Sequence, residues 1–278
     1  MHNSGQSIYS IDRQLLAKSR IQLHYAIQPL AATATALCQV EADSSHMALS
    51  WEDGIGFVTQ SIVTSQPFRV ALDPVSLTLS ILNVDRQPIS TFCLNGKTLP
   101  AAFDWVKIVV DGLGADPAKI TPISYPPDDF PDSDLAHGAS FELQENTNLS
   151  AYYASGNRIL QSIVTQEPSA SPVRIWPHHF DLATLISISG KKNGEPMSVG
   201  VGLSPGDRSY DEPYWYVAPY PYPEGDLPTL EEHGIWHAEH WVGAVLTASQ
   251  FSEPNASTAQ VKAFLDSSID ACKKLLRI

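Results

Sequence analysis

The sequence predicts an α+β fold in which helices pack on antiparallel sheets. Three observations carry this. Short β-rich runs divided by turn residues occur in two sets, helical patterns flank each set, and one run alternates strictly between apolar and polar residues. Helix, several strands, helix is the order over 1–114 and again over 143–278, with a Pro/Asp-rich connector at 115–142. The expectation is one domain over 1–278, and a further hypothesis is an internal duplication giving two pseudo-symmetric halves.

Ile11 to Leu37 has roughly helical apolar spacing, with Asp12 near the start where a helix dipole favours an acid. Pro29 should kink or split this helix, because it lacks an N–H and its ring clashes with the preceding turn. MALSW, IGFVTQSIV, FRVAL, VSLTLSIL and ISTFCL then read as strands separated by EDG, SQP, DP and DRQP turns. In VSLTLSIL, Val75, Leu77, Leu79 and Ile81 should face one way and Ser76, Thr78 and Ser80 the other. Thr98, Pro100 and Gly114 punctuate a helix whose apolar stripe is Phe103, Val106, Val110 and Leu113. The following SYPPDDFPDSD has the composition of a plain linker.

In the second half, Asn146 or Thr147 should cap a helix running to about Gln166, with Leu149, Tyr152, Tyr153, Gly156, Ile159, Leu160 and Ile163 on its apolar side. Strand signals run from Val173 to Phe251, and an amphipathic helix closes the chain. Ser257 and Gln260 form a candidate capping box there, with Lys273, Lys274 and Arg277 at the negative end of the dipole. Trp176, Phe180 and Leu182 should share a core with Phe264, Leu265 and Ile269. HMALSWEDGIGFVTQSI aligns loosely with SPVRIWPHHFDLATLISI, which is the basis of the duplication hypothesis.

Composition excludes several function classes. A net charge of −13 without a basic stripe argues against nucleic acid as a partner. No run approaches 18 apolar residues, so no membrane span is expected. The N-terminal MHNSGQSIYSIDRQ lacks a signal-peptide pattern, and Cys38, Cys93 and Cys272 have neither metal-type spacing nor an even count. A cytoplasmic protein with reduced thiols is the expectation.

Asn157-Arg158 in an aromatic-rich helix precedes Ser171-Pro172-Val173 and Trp176, then Phe180-Asp181-Leu182-Ala183. Glu212-Pro213 followed by aromatics, a Tyr-Pro pair and the terminal helix complete the series. Together these motifs resemble a bacterial family of uncharacterised proteins, a domain of unknown function about this long. The resemblance implies the fold class and no established activity. This chain departs from the family pattern in carrying His178 and His179 before Phe-Asp-Leu-Ala.

Candidate binding residues gather in three pieces of the second half: His179 and Asp181; Asp207, Tyr214 and Tyr216; and His237 and Glu239. If each piece is a strand, alternation puts His179 with Asp181 and His237 with Glu239. Imidazoles and carboxylates so placed most simply form a structural hydrogen-bond network at the strand ends; they could also bind a metal or form an acid/base pair, yet no diagnostic spacing such as H-E-x-x-H is present. No metal ligand, catalytic residue or cofactor is therefore assigned. Gly200-Val201-Gly202 lacks the following helix of a dinucleotide site and reads as glycines permitting close packing. Stiffened by prolines, the tyrosines from Tyr214 to Tyr222 suit a ligand pocket or interface. The preferred reading is a non-catalytic protein that binds a small molecule or another protein, with a homodimer as one possible assembly. The alternative is a metal-dependent or His/carboxylate enzyme.

Overall fold

A computed structural model describes residues 13–125, 130–143, 147–230, 234–251 and 257–277. Asp12 and the expected cap Asn146 lie outside these residues, as do the side chains of Thr147 and Ser257. The fold is α+β, with helices and two antiparallel sheets. By contacts the chain divides into two units, one built from 14–154 and 174–180, the other from 155–173 and 181–277.

In the first unit, α1 (Arg13–Ala26) and α2 (Gln28–Leu37) are separated at Ile27. Pro29 occupies the first turn of α2, where a missing N–H costs nothing. The strands β1 (Ser50–Glu52), β2 (Gly56–Val58), β3 (Arg69–Asp73), β4 (Thr78–Leu82) and β5 (Pro88–Cys93) form a meander in which each pairs antiparallel with the next. Three expected strands are shorter than their β-rich runs. Met47 of the first belongs to the 3-10 turn Ser45–Met47, and Ile62 of the second makes an isolated bridge to Phe68. Leu79 and Ile81 are buried as the alternation requires, but Val75 and Leu77 lie in the turn before β4, where Val75 is exposed and Leu77, at φ 53°, is buried. The helix α3 (Leu99–Gly112) starts where Thr98 Oγ1 accepts the Ala101 N–H at 3.3 Å and buries its expected stripe.

The connector packs into this unit. Ile120, Leu135 and Phe141 are buried, and Phe141 exchanges backbone hydrogen bonds with Gly96 and Lys97 at 2.8 Å. A strand β6 (Arg174–Trp176) bridges Leu49 through Ile175. The next four residues form a turn closed by the Phe180 N–H on the Trp176 carbonyl at 2.7 Å, with Phe180 at φ 57°. This corrects the continuous strand expected from Trp176 to Asp181. It also moves Phe180 out of the second-half core: its buried ring packs with His24, Phe57 and Tyr153, with centroids 5.0–5.4 Å apart.

The chain passes from one unit to the other within α4 (Thr147–Gln166), whose expected apolar face is buried. The second unit's sheet runs β10 (Ile235–His237), β11 (Gly243–Thr247), β9 (Tyr214–Tyr220), β8 (Glu195–Ser204), β7 (Asp181–Lys192), all antiparallel. Asn193 and Gly194, both at positive φ, close the β7–β8 hairpin, since an Asn-Gly pair accepts left-handed backbone that matches strand twist. Leu182, Leu203, Trp215 and Leu246 are buried on one sheet face. At Gly156 of α4 an added Cβ would lie 2.4 Å from Leu203, so glycine is what allows that approach. The helix α5 (Ser257–Arg277) contacts β8, β9 and β11, burying Val261, Phe264, Leu265, Ile269 and Cys272.

Candidate functional site

The pairing register places Asp181, Ser204, Tyr214, Tyr216 and His237 on the sheet face opposite Leu182, Leu203 and Trp215. There Tyr216 Oη donates to Asp181 Oδ2 and Tyr214 Oη to Asp207 Oδ2, each at 2.5 Å. Asp207 Oδ1 accepts the backbone N–H groups of Ser209 and Tyr210 at 2.7 and 3.1 Å, which fixes the turn after Pro205-Gly206. Tyr210 Oη lies 3.1 Å from His237 Nδ1, and the His237 ring stacks on Trp241 with centroids 4.4 Å apart. His237 is buried, and its Nε2 has no hydrogen-bond partner among the described residues.

Burial pushes the hydroxyls of Tyr214 and Tyr216 well above the usual tyrosine range, and the neighbouring carboxylates Asp207 and Asp181 push the same way. Both tyrosines are therefore neutral donors facing acceptors. Gly202 makes room for this: a Cβ there would lie 2.4 Å from the Tyr216 ring, its cross-strand neighbour. That is the close packing expected of the Gly-Val-Gly run.

The structure thus brings together Asp181, Asp207, Tyr214, Tyr216 and His237, and adds Tyr210 and Trp241, which no residue spacing marks as partners of this group. His179 is in the 177–180 turn of the other unit, exposed, with its ring 4.1 Å from that of His178. Strand alternation does not pair it with Asp181, because the turn intervenes. Glu239 lies beyond the end of β10 and is exposed, so it does not share a strand face with His237 either. Among the described residues, no three His, Cys, Asp or Glu side chains are grouped to hold a metal.

A cavity of about 740 Å³ opens in the first unit, where α1 and α2 meet, against the start of α3 and the connector. Leu99, Pro100 and Phe103 line it from α3, and Ile123, Tyr125 and Phe130 from the connector. Tyr25 Oη donates to the Pro131 carbonyl at 2.8 Å and its ring meets Phe130 edge-on at 4.9 Å, holding the connector in place. Tyr125 stacks on Phe130 at 5.0 Å and 13°. Its hydroxyl is buried, has no partner among the described residues, and is pushed well above the usual range by that burial. Gln28 also lines the cavity, with Nε2 donating to the His24 carbonyl at 2.8 Å. Among the described residues, Asp104, Lys107 and Asp132 add charged groups to the wall, and Lys107 has no ion-pair partner.

The sequence contained one signal for this cavity: Tyr125 and Phe130 are large aromatics in a Pro/Asp-rich segment, and aromatic side chains seek burial. Comparison with known proteins adds no assignment. No family model, no curated protein and no solved structure matches the chain.

Proposed function

We propose that the protein is a non-catalytic binding protein for a small molecule, with the cavity between α3 and the connector as its ligand site. The observation that carries this reading is a mostly apolar-walled space of about 740 Å³ lined by the aromatic residues Tyr25, Phe103, Tyr125 and Phe130. That volume falls within the range of pockets that enclose small ligands, and a few polar groups in an apolar wall are how such pockets fix orientation.

The aromatic and acidic face of the second half was the site expected from sequence. Its two tyrosine hydroxyls each donate to a carboxylate, which supports reading it as a hydrogen-bond network that fixes one end of the sheet. A His/carboxylate catalytic pair draws less support, since His237 Nδ1 meets a tyrosine hydroxyl. Cytoplasmic residence fits the free cysteines, two of them buried, with the thiols of Cys38 and Cys272 pushed up to about 11 and about 12 by burial.

Titration with the neutral dye Nile red tests the reading. Saturable fluorescence enhancement is expected, and Ile123→Trp, which fills the cavity, should abolish it while leaving the melting temperature close to wild type. Tyr214→Phe, in the other unit, should bind the dye as wild type does. No saturable binding by wild type, or a loss caused by Tyr214→Phe instead of Ile123→Trp, would refute the proposed site.

A further inference from the structure

We infer that the free edge of the first unit's sheet is a self-association surface, where β5 pairs antiparallel with β5 of a second copy across a two-fold axis through Phe92. Among the described residues β5 pairs with β4 alone. At the opposite edge Leu49, next to β1, exchanges backbone hydrogen bonds with Ile175 of β6 at 2.9 and 2.8 Å. The Leu94 N–H donates to the Leu77 carbonyl at 2.9 Å, and two-residue alternation turns the backbone groups of Phe92 and Ser90 toward β4 as well. Those of Thr91 and Cys93 therefore point away from the sheet, and they have no hydrogen-bond partner among the described residues.

Backbone groups left in that state are a template for another strand, and edges that stay single are guarded by charged side chains. This edge is not: the run from Gln87 to Gly96 contains no Asp, Glu, Lys or Arg. On a chain of net charge −13, an uncharged strand is where a second copy approaches without like charges meeting. Pro88 and the extra residue Ile89, where the β4–β5 register shifts, end regular pairing on one side. The segment left, Ser90 to Cys93, is self-complementary in one register. With Phe92 opposite Phe92 of the copy, Thr91 faces Cys93 twice, and both outward residues of each strand exchange N–H···O bonds. The two Phe92 rings then form an aromatic cross-strand pair at the closer, non-hydrogen-bonded spacing. Each ring is half-buried and stacks on Trp105 of α3 at 5.4 Å and 19°. Ile108, one turn further on the same side of α3, is 74% exposed. The two-fold places two such apolar sets on one face of the joined sheet.

Sedimentation equilibrium of the full chain over a micromolar concentration series should show a monomer–dimer exchange reaching twice the chain mass. Thr91→Pro removes an outward N–H, spares the β4 ladder, and should weaken the dimer about tenfold or more, because each copy loses a bond. Thr91→Lys combined with Cys93→Lys sets like charges opposite each other at both contacts and should give monomer. Thr91→Lys combined with Cys93→Glu sets opposite charges there and should remain dimeric. Circular dichroism and melting temperature report whether each variant keeps the fold, and the charge pair decides the question if Thr91→Pro does not fold. A monomeric wild type would overturn the inference and leave the edge to a strand of another protein. A dimer that persists in the double-lysine variant, or one lost equally in both charge variants, would overturn the pairing through β5 in this register.

Discussion

Acidification should destabilise the first unit through His24. This histidine on α1 is buried between Phe130 and Phe180, with ring centroids 4.3 and 5.0 Å away. Its Nε2 lies 2.8 Å from the Pro177 carbonyl, a partner that requires the proton on Nε2 and leaves Nδ1 without one. Burial holds its pKa down to about 3 against 6.5 for an ordinary histidine; the positive charge of Arg20 and the neighbouring His178 and His179 push the same way, and the Pro177 bond opposes them. Below pH 6.5 the unfolded chain takes up a proton that the folded chain refuses until about pH 3. Stability from this group is therefore complete above pH 6.5 and is lost as pH falls from there toward 3. Between pH 8 and pH 5 the loss is about 2 kcal/mol, from the 1.5 units separating 6.5 and 5 at about 1.4 kcal/mol each. His24→Gln keeps an N–H for the Pro177 carbonyl and cannot titrate. Urea unfolding at the two pH values should give a wild-type loss about 2 kcal/mol larger than that of His24→Gln. Equal losses in the two proteins, or an NMR titration of His24 near pH 6, would refute the argument.

Three further outcomes are expected in the second unit. Gly202→Ala forces a Cβ into the Tyr216 ring and should cost about 1–3 kcal/mol in thermal or urea unfolding, whereas a shift below 0.5 kcal/mol would mean the ring moves freely. Tyr216→Phe removes the donor to Asp181 inside the sheet and should cost about 1–3 kcal/mol, measured by urea unfolding at pH 7. Truncation before Val261 removes the residues of α5 that cover β8, β9 and β11 and should leave an insoluble or dye-binding, non-cooperative species. A soluble truncation with a sharp melting transition would show that α5 is dispensable for the core.

The sequence by itself determined the elements whose signals are local. Thr98, Pro100 and Gly114 marked the ends of α3 because capping and left-handed backbone are decided within a few residues. The buried faces of α4 and α5 followed from a 3.6-residue period, and the alternation in β4 was right wherever the backbone is extended. Val75 and the 177–180 turn show where that logic stops. A period-2 pattern says nothing of a residue that leaves the strand, and Phe180 adopts its left-handed conformation because the His24, Phe57 and Tyr153 rings pack around it.

Only the tertiary structure decided which side chains meet. Asp181, Tyr216 and His237 share a face because strand register places them there, at sequence separations over which residue spacing carries no information. His179 and Asp181 belong to different units, divided at 180/181 by a boundary that no composition marks. The cavity is the clearest case. Its walls come from two helices, a third helix's first turns and a connector with the composition of a linker, and empty space between packed elements is a property of how their surfaces fail to fill it.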